Sequence, residues 1–165
     1  MERRRVILMV SLMLFVGCQR DPWADGFITF RLPDMYVDGT YFIDADSQKR
    51  IIKLRHGDGI FPIDHSAHIT LSIDHKAQFF RVPEEDHYGA ACSVTGKGAW
   101  HFGRNGNYTV IIASIVNEET NSLCKGDFAY QLMLYGKESP YKLHITIGDP
   151  DSGDAVQFEH ERYIL

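Results

Sequence analysis

Residues 96–115 read GKGAWHFGRNGNYTVIIASI, and this stretch indicates how the chain folds. Trp100 and Phe102 occupy alternate positions, which places both side chains on one face of an extended strand. Residues 103–106 end in Asn-Gly, a pair that tolerates the positive φ of a tight turn. The stretch therefore predicts an antiparallel β-hairpin. Tyr108, Val110 and Ile112 should share one face of the second strand of this hairpin.

Similar alternation extends from this hairpin towards both ends of the chain. The predicted strands lie within residues 26–33, 39–44, 68–82 (a hairpin turning at 74–76), 128–136, 141–148 and 154–161. Residues 46–55 form the one segment that favours a helix, with Asp46 or Ser47 as its N-cap. A strand starting at Arg50 is the alternative reading of that segment.

Seven to nine short strands joined by tight turns favour an all-β domain over residues 27–165. We expect an antiparallel meander that closes into a small up-and-down barrel, with a β-sandwich as the alternative. The run Gly39-Thr40-Tyr41 and the hairpins around it resemble the calycin-like barrels of several small bacterial lipoproteins. Residues 135–159 also resemble the C-terminal end of uncharacterised small β-rich bacterial lipoproteins, which implies no particular activity.

The first 17 residues are typical of an export signal. Residues 1–5 are basic, and about a dozen apolar residues follow, too few to span a bilayer as a helix. They lead to LFVGC, residues 14–18, which resembles the bacterial lipobox, although Phe15 replaces the usual leucine. That resemblance implies cleavage after Gly17 and acylation of Cys18. Residues 18–26 would then form a short tether.

The resemblance implies a lipid-anchored protein on the periplasmic or extracellular face of a cell membrane. Gln19 resembles the signal for the outer membrane if the cell has two membranes. Residues 1–17 carry a net charge of +2, so their removal lowers the net charge from −5 to −7. An acidic domain without a basic stripe is a poor candidate for binding nucleic acid. The expected partners are the bilayer, through acylated Cys18, and an envelope protein.

Cys92 and Cys124 remain after cleavage. An exported chain matures in an oxidising compartment, so the two cysteines are expected to form a disulfide. The disulfide would brace two neighbouring loops, residues 83–91 and 117–126. A reactive thiol pair is the alternative, but the two residues do not form a C-x-x-C motif.

The acidic segment at residues 149–154 invites comparison with a calcium loop. Counted from Asp149 in an EF-hand pattern, Gly153 falls where a ligand is required and Asp154 where the turn glycine is required. Turn chemistry fits better, because Pro150 fixes φ and Asp149 can accept backbone hydrogen bonds. Gly153 can adopt the left-handed conformation that leads back into a strand. We therefore expect Asp149, Pro150 and Gly153 to form a hairpin turn.

Asp64, His65 and His68 are the weak candidates for a metal site. A helix would bring the two imidazoles together, but the segment lies between Pro62 and a strand, where residues three apart point to opposite faces. His101 and His144 alternate with inward residues and should face solvent. Glu84 and Glu85 are adjacent on one strand and should be solvated. No cofactor is expected.

Motifs for catalysis are missing from the sequence. It contains no G-x-S-x-G, G-x-G-x-x-G, Walker loop, H-E-x-x-H or C-x-x-C. The sequence therefore favours a non-catalytic binding or structural role in the cell envelope, with protein binding first. The alternatives are a carrier of a small apolar ligand inside the barrel, and a metal-binding protein or enzyme that uses His65 and His68.

Overall fold

A computed structural model describes residues 26–49, 63–85, 90–119, 123–147 and 155–163. Eight antiparallel strands form a closed barrel in chain order, and the first strand pairs with the last. The strands are β1 (Gly39–Ile43), β2 (His68–Leu71), β3 (Lys76–Glu85), β4 (Ala91–Asn105), β5 (Tyr108–Asn117), β6 (Asp127–Tyr135), β7 (Lys142–Thr146) and β8 (Ala155–His160). Short 3-10 helices occupy Asp34–Tyr36, Ser47–Lys49 and Glu161–Tyr163.

The closed barrel confirms the all-β class and the up-and-down order. The sandwich alternative is wrong, because Tyr41 pairs with His160 and Ile43 with Phe158, so that all eight strands belong to one sheet. The described ends of the links that follow β1, β3, β5 and β7 lie at one end of the barrel, which we call the disulfide end. The other end, which we call the cap end, carries the remaining links and the N-terminal segment 26–38.

The predicted strand at residues 26–33 is wrong. Phe27 makes a single bridge to Tyr135, and the chain then crosses the cap end of the barrel. Ile28 and Leu32 are buried, so the apolar residues of this segment close the barrel end. The closed wall has no free edge to which a ninth strand could add. Of the predicted helix at 46–55, Ser47–Lys49 form one 3-10 turn, and residues 50–55 lie outside the described residues.

The β4–β5 hairpin is present, but its details differ from the prediction. Asn105 pairs with Tyr108, so the turn is Gly106-Asn107, with Gly106 at φ 57°. Trp100 pairs with Ala113, which turns the odd-numbered residues of β5 inward, namely Ile111, Ala113 and Ile115. Tyr108, Val110 and Ile112 do share one face, as predicted, and it is the outward face. Both faces of β5 are apolar, and the position opposite Trp100 decides between them.

A bulge in β3 places Phe80 and Val82 on opposite faces of the strand. The register between β3 and β4 shifts between Phe79 and Val82, and both of these residues point into the barrel. Phe80 therefore points outward. The alternation predicted for residues 128–136, 141–148 and 154–161 is present in β6, β7 and β8, and its inward residues are buried: Tyr130, Leu132, Leu134, Leu143, Ile145, Val156 and Phe158.

Candidate functional site

Large side chains fill the barrel interior. The largest among those that are under 2% exposed belong to one core cluster: Trp100, Tyr41, Phe79, Phe158, Ile69, Leu71, Ile111, Ile115, Leu132, Leu134 and Leu143. Tyr41 donates its hydroxyl to the Val37 carbonyl (3.0 Å), and Trp100 donates its indole N–H to the Ser72 carbonyl (2.9 Å). The polar atoms of these two aromatic residues are thus satisfied at the cap end, and both rings are held within the core.

The predicted disulfide is confirmed. Cys92 and Cys124 are bonded, with their Cα atoms 5.6 Å apart. Asn117 adds a second connection, because its side-chain amide donates to the Cys124 carbonyl and its Oδ1 accepts from the backbone N–H groups of Thr95 and Glu119. The disulfide therefore fixes the described residues 123–126, which precede β6, to the start of β4.

The prediction that Glu84 is solvated is wrong. Glu84 pairs with Cys92 and shares its inward direction, at the disulfide end of the interior. Burial is the main cause that raises the pKa of its carboxyl group. The buried Tyr130 hydroxyl lies near this carboxylate, although the two groups do not reach normal hydrogen-bond geometry. Burial and the negative charge of Glu84 raise the pKa of Tyr130.

Three outward rings form a row across neighbouring strands on the barrel wall. Phe42 on β1 pairs with His68 on β2, and His68 pairs with Phe80 on β3. The ring centroids of Phe42 and His68 are 5.5 Å apart, and His68 stacks on Phe80 at 5.0 Å. All three residues are half-buried. The pairing of β1, β2 and β3 thus assembles a continuous aromatic surface from residues far apart in the chain.

Arg81 closes one end of this row. It occupies the β3 bulge at φ 50°, and its backbone N–H donates to Thr95 Oγ1 (3.1 Å). The bulge directs the guanidinium over the Phe80 ring, 5.3 Å from its centroid. The Arg81 Nη1 atom also donates to Asp64 Oδ2 (2.6 Å). A β-bulge is a common device for re-aiming a side chain at a functional surface.

Asp64 is held in its ionised form. The hydroxyl and the backbone N–H of Ser66 donate to Asp64 Oδ1, and Arg81 donates to Oδ2. The pKa of Asp64 is lowered to about 2, mainly by the hydrogen bonds from Ser66 and next by the hydrogen bond from Arg81. The ion pair with Arg81 therefore persists throughout the neutral and mildly acidic range.

His65 lies beside the row, next to a shallow depression. The depression has a volume of about 460 Å³, and His65, Phe42, Gln48 and Glu159 are among its lining residues. His65 Nδ1 is 2.7 Å from Gln48 Oε1, and Glu159 forms an ion pair with Lys142. We call Phe42, Asp64, His65, His68, Phe80 and Arg81 together the wall site.

The wall site gathers all three weak metal candidates without arranging them as ligands. His68 Nδ1 is 2.9 Å from the Ser66 carbonyl oxygen, whereas His65 turns to Gln48 and Asp64 to Arg81. Across residues 26–49, 63–85, 90–119, 123–147 and 155–163, no three His, Cys, Asp or Glu side chains are grouped so that they could hold a metal ion.

The two histidines predicted to face solvent differ. His101 is exposed, as predicted. His144 is 8% exposed, and that prediction is wrong because the Phe27 ring covers it from outside the barrel, at 5.4 Å. The alternation of β7 does place His144 on the outer face. The N-terminal segment then covers that face.

Several predicted residues lie outside the described part of the chain. These are Cys18, with the signal segment 1–17, and the turn residues Asp149, Pro150 and Gly153. Sequence reasoning missed Phe42, Phe80 and Arg81 as site residues. The adjacent pair Phe79-Phe80 carried a signal, because neighbours on a strand point apart and one ring had to face outward unless the strand was irregular.

Comparisons with protein-family models, curated proteins and solved structures find no match to this chain. In the described part of the chain, no helix is both long and apolar enough to cross a membrane.

Proposed function

We propose that this protein is a lipoprotein, anchored through acylated Cys18, whose barrel binds another protein of the cell envelope without catalysing a reaction. The wall site is the binding surface. The anchor follows from the order of basic residues, apolar run, Gly17 and Cys18, and it implies the periplasmic or extracellular face of a membrane. In a cell with two membranes, Gln19 favours the outer membrane.

The aromatic row on the barrel wall is the observation that supports protein binding. Aromatic residues and arginine are enriched where proteins bind one another, and well-packed clusters of them carry most of the binding energy. Phe42, His68 and Phe80 are already ordered by stacking and by Arg81. A partner would therefore immobilise few side chains on binding, which lowers the entropic cost.

The filled interior favours this proposal over the carrier alternative. A carrier needs internal space, and an eight-stranded barrel leaves little beyond its own side chains. Here the central positions hold Trp100, Tyr41, Phe79 and Phe158, each under 2% exposed. The wall site, by contrast, lies beside an open depression on the outside of the barrel.

Metabolic labelling tests the anchor. Cells that express the full chain should incorporate radioactive palmitate into it, and the protein should sediment with membranes. Cys18→Ser should abolish both labelling and sedimentation, whereas the outward substitution Val116→Ala should leave both unchanged. Labelling that persists in the Cys18→Ser variant would contradict the proposal.

Affinity capture tests the wall site. Immobilised residues 27–165 should retain an envelope protein from a detergent extract, and the recovered partner should then be purified for direct binding measurement. Phe80→Ala should weaken its affinity about 30-fold, which corresponds to about 2 kcal/mol, because truncation of an aromatic anchor removes a binding hot spot. Val116→Ala removes another exposed apolar side chain and should leave the affinity unchanged. Equal affinities of the two variants would exclude the wall site as the binding surface.

A further inference from the structure

The N-terminal segment is fixed firmly to the cap end of the barrel. Gly136 donates its backbone N–H to the Gly26 carbonyl (2.9 Å), and Phe27 bridges to Tyr135. Further along the segment, Arg104 Nη1 donates to the Thr29 carbonyl (2.6 Å). Any tether that precedes Gly26 therefore leaves the barrel at the cap end, where β6 stops.

Even when fully extended, the proposed tether is only slightly longer than the barrel wall. Eight residues, 18–25, precede Gly26 in the tether. At about 3.3–3.6 Å per residue they span at most about 30 Å when fully extended. A ten-residue strand such as β5, tilted as strands are in barrels, covers about 25 Å along the barrel axis. Placing the disulfide end on the membrane would stretch the tether almost fully along the wall. A relaxed tether keeps the cap end at the membrane.

Four of the six large apolar side chains that are exposed in the described part of the chain lie at the cap end. Met35 is 65% exposed, Ile73 is 60% exposed, and Phe30 and Tyr36 are also exposed. The Ile73 backbone N–H donates to Asp38 Oδ1 (3.0 Å), which ties the β2–β3 turn to the N-terminal segment. All four side chains lie on the N-terminal segment or the β2–β3 turn at the cap end, and we call them together the apolar cap.

Charge does not oppose contact between this surface and lipid. The mature chain carries a net charge of −7, which anionic headgroups repel. Around the apolar cap, however, the two signs are balanced, with Asp34, Asp38 and Asp74 set against Arg31, Lys76 and Arg104. Arg31, Asp34 and Arg104 also line a groove of about 470 Å³ beside the cap. The surface therefore suits zwitterionic headgroups, and Tyr36 has the amphipathic ring typical of a membrane interface.

We infer that the apolar cap rests on the bilayer that holds acylated Cys18, so that the disulfide end points away from the membrane. This inference rests on the proposed lipid anchor. It adds an orientation: the cap end contacts lipid, and the wall site and the disulfide-braced links remain accessible to a partner.

Lipid quenching of a fluorescent label tests the orientation. The acylated full chain is reconstituted into phosphatidylcholine vesicles with or without brominated acyl chains, and an environment-sensitive fluorophore is attached to Met35→Cys or to Leu123→Cys. Leu123 is a matched control, because it is 63% exposed against 65% for Met35 and belongs to the disulfide end. Cys18 is acylated and Cys92 is bonded to Cys124. Peptide mapping without reduction checks that this bond persists in both variants, so that the introduced thiol alone carries the label.

The label at position 35 should be quenched about threefold more strongly than the label at 123, because an interfacial side chain reaches the edge of the acyl region. Equal quenching, or stronger quenching at 123, overturns the orientation. The orientation is also overturned if the emission of the label at 35 changes with protein concentration and not with brominated lipid. That result would indicate that a second copy of the chain covers the apolar cap. If Met35→Cys does not fold, Ile73→Cys serves in its place.

Flotation of the same samples separates the two proposals. If the chain lacks palmitate and does not float with the vesicles, the proposed lipid anchor is contradicted, and so is the orientation that depends on it. If the chain is acylated and floats but the label at 35 is not quenched, only the proposed orientation is contradicted.

Discussion

Glu84 illustrates how one residue's environment can differ from its local sequence. Strand alternation separates Glu84 from Glu85, and only the pairing of β3 with β4 decides which of them points inward. Glu84 is the inward residue, next to the buried Tyr130, and burial raises the pKa of its carboxyl group. A carboxyl group with a higher pKa in the folded chain destabilises the fold as pH rises and it ionises.

We therefore expect Glu84→Gln to stabilise the protein at pH 7. Tm should rise by about 2–4 °C, or roughly 1 kcal/mol in a domain of this size, since a neutral amide avoids the buried charge. The gain should shrink at pH 4, where the wild-type carboxyl group is largely protonated. Thermal unfolding at both pH values provides the measurement, with Glu85→Gln as the control that should change little. A lower Tm for Glu84→Gln at pH 7 would mean that the ionised carboxylate stabilises the fold.

At the scale of the elements, β4 is the longest strand and depends on glycine to follow the curved wall. It spans Ala91–Asn105 and pairs with β3 and with β5. A Cβ atom on Gly98 would lie 1.7 Å from the Ser114 carbonyl oxygen of β5. Glycine in a strand interior often marks such a close approach of two backbones at a barrel corner.

We expect Gly98→Ala to destabilise the barrel by about 1–3 kcal/mol, because the backbone of β5 cannot move without weakening its pairing with β4. The change should appear as a lower urea midpoint with the slope unchanged. Gly103→Ala on the same strand is the control, since the three atoms nearest to its Cβ would belong to the side chains of Ile112 and Val110 and not to the backbone. Equal losses for the two variants would contradict the clash with the backbone.

At the scale of the whole molecule, the disulfide joins the β3–β4 hairpin to the link between β5 and β6. Cys92 opens β4, whereas Cys124 lies in the link between β5 and β6, 32 residues later. The aromatic row lies elsewhere, across β1, β2 and β3. Loss of the disulfide should therefore lower the stability of the barrel and leave partner binding at the wall site largely unchanged.

Replacing both cysteines, Cys92→Ser with Cys124→Ser, should lower the free energy of unfolding by about 3–4 kcal/mol, as loop-closure entropy predicts for a loop of this length. Chemical denaturation measures this loss, and reduction of the wild-type disulfide should reproduce it. Partner affinity at the wall site should be retained under native conditions. An unchanged unfolding midpoint would show that the disulfide does not restrain the unfolded chain.

Local patterns were sufficient for much of the fold. Alternation and turn residues predicted the meander, the β4–β5 hairpin and the inward residues of β6, β7 and β8. The export signal and Cys18 are likewise sequence predictions, since they depend on the order of residue types. The disulfide followed from the number of cysteines and the expected compartment, and the structure confirms it.

Other features were decided by contacts between residues distant in sequence. Pairing of Tyr41 with His160 distinguishes a barrel from a sandwich, and pairing of Trp100 with Ala113 selects the inner face of β5. The wall site depends on β1, β2 and β3 and on a bulge that directs Arg81 over the outward Phe80 ring. A strand pattern states which residues alternate, but it does not state which face is inside. The faces are assigned when the sheet closes, because only then does one side lose its contact with water.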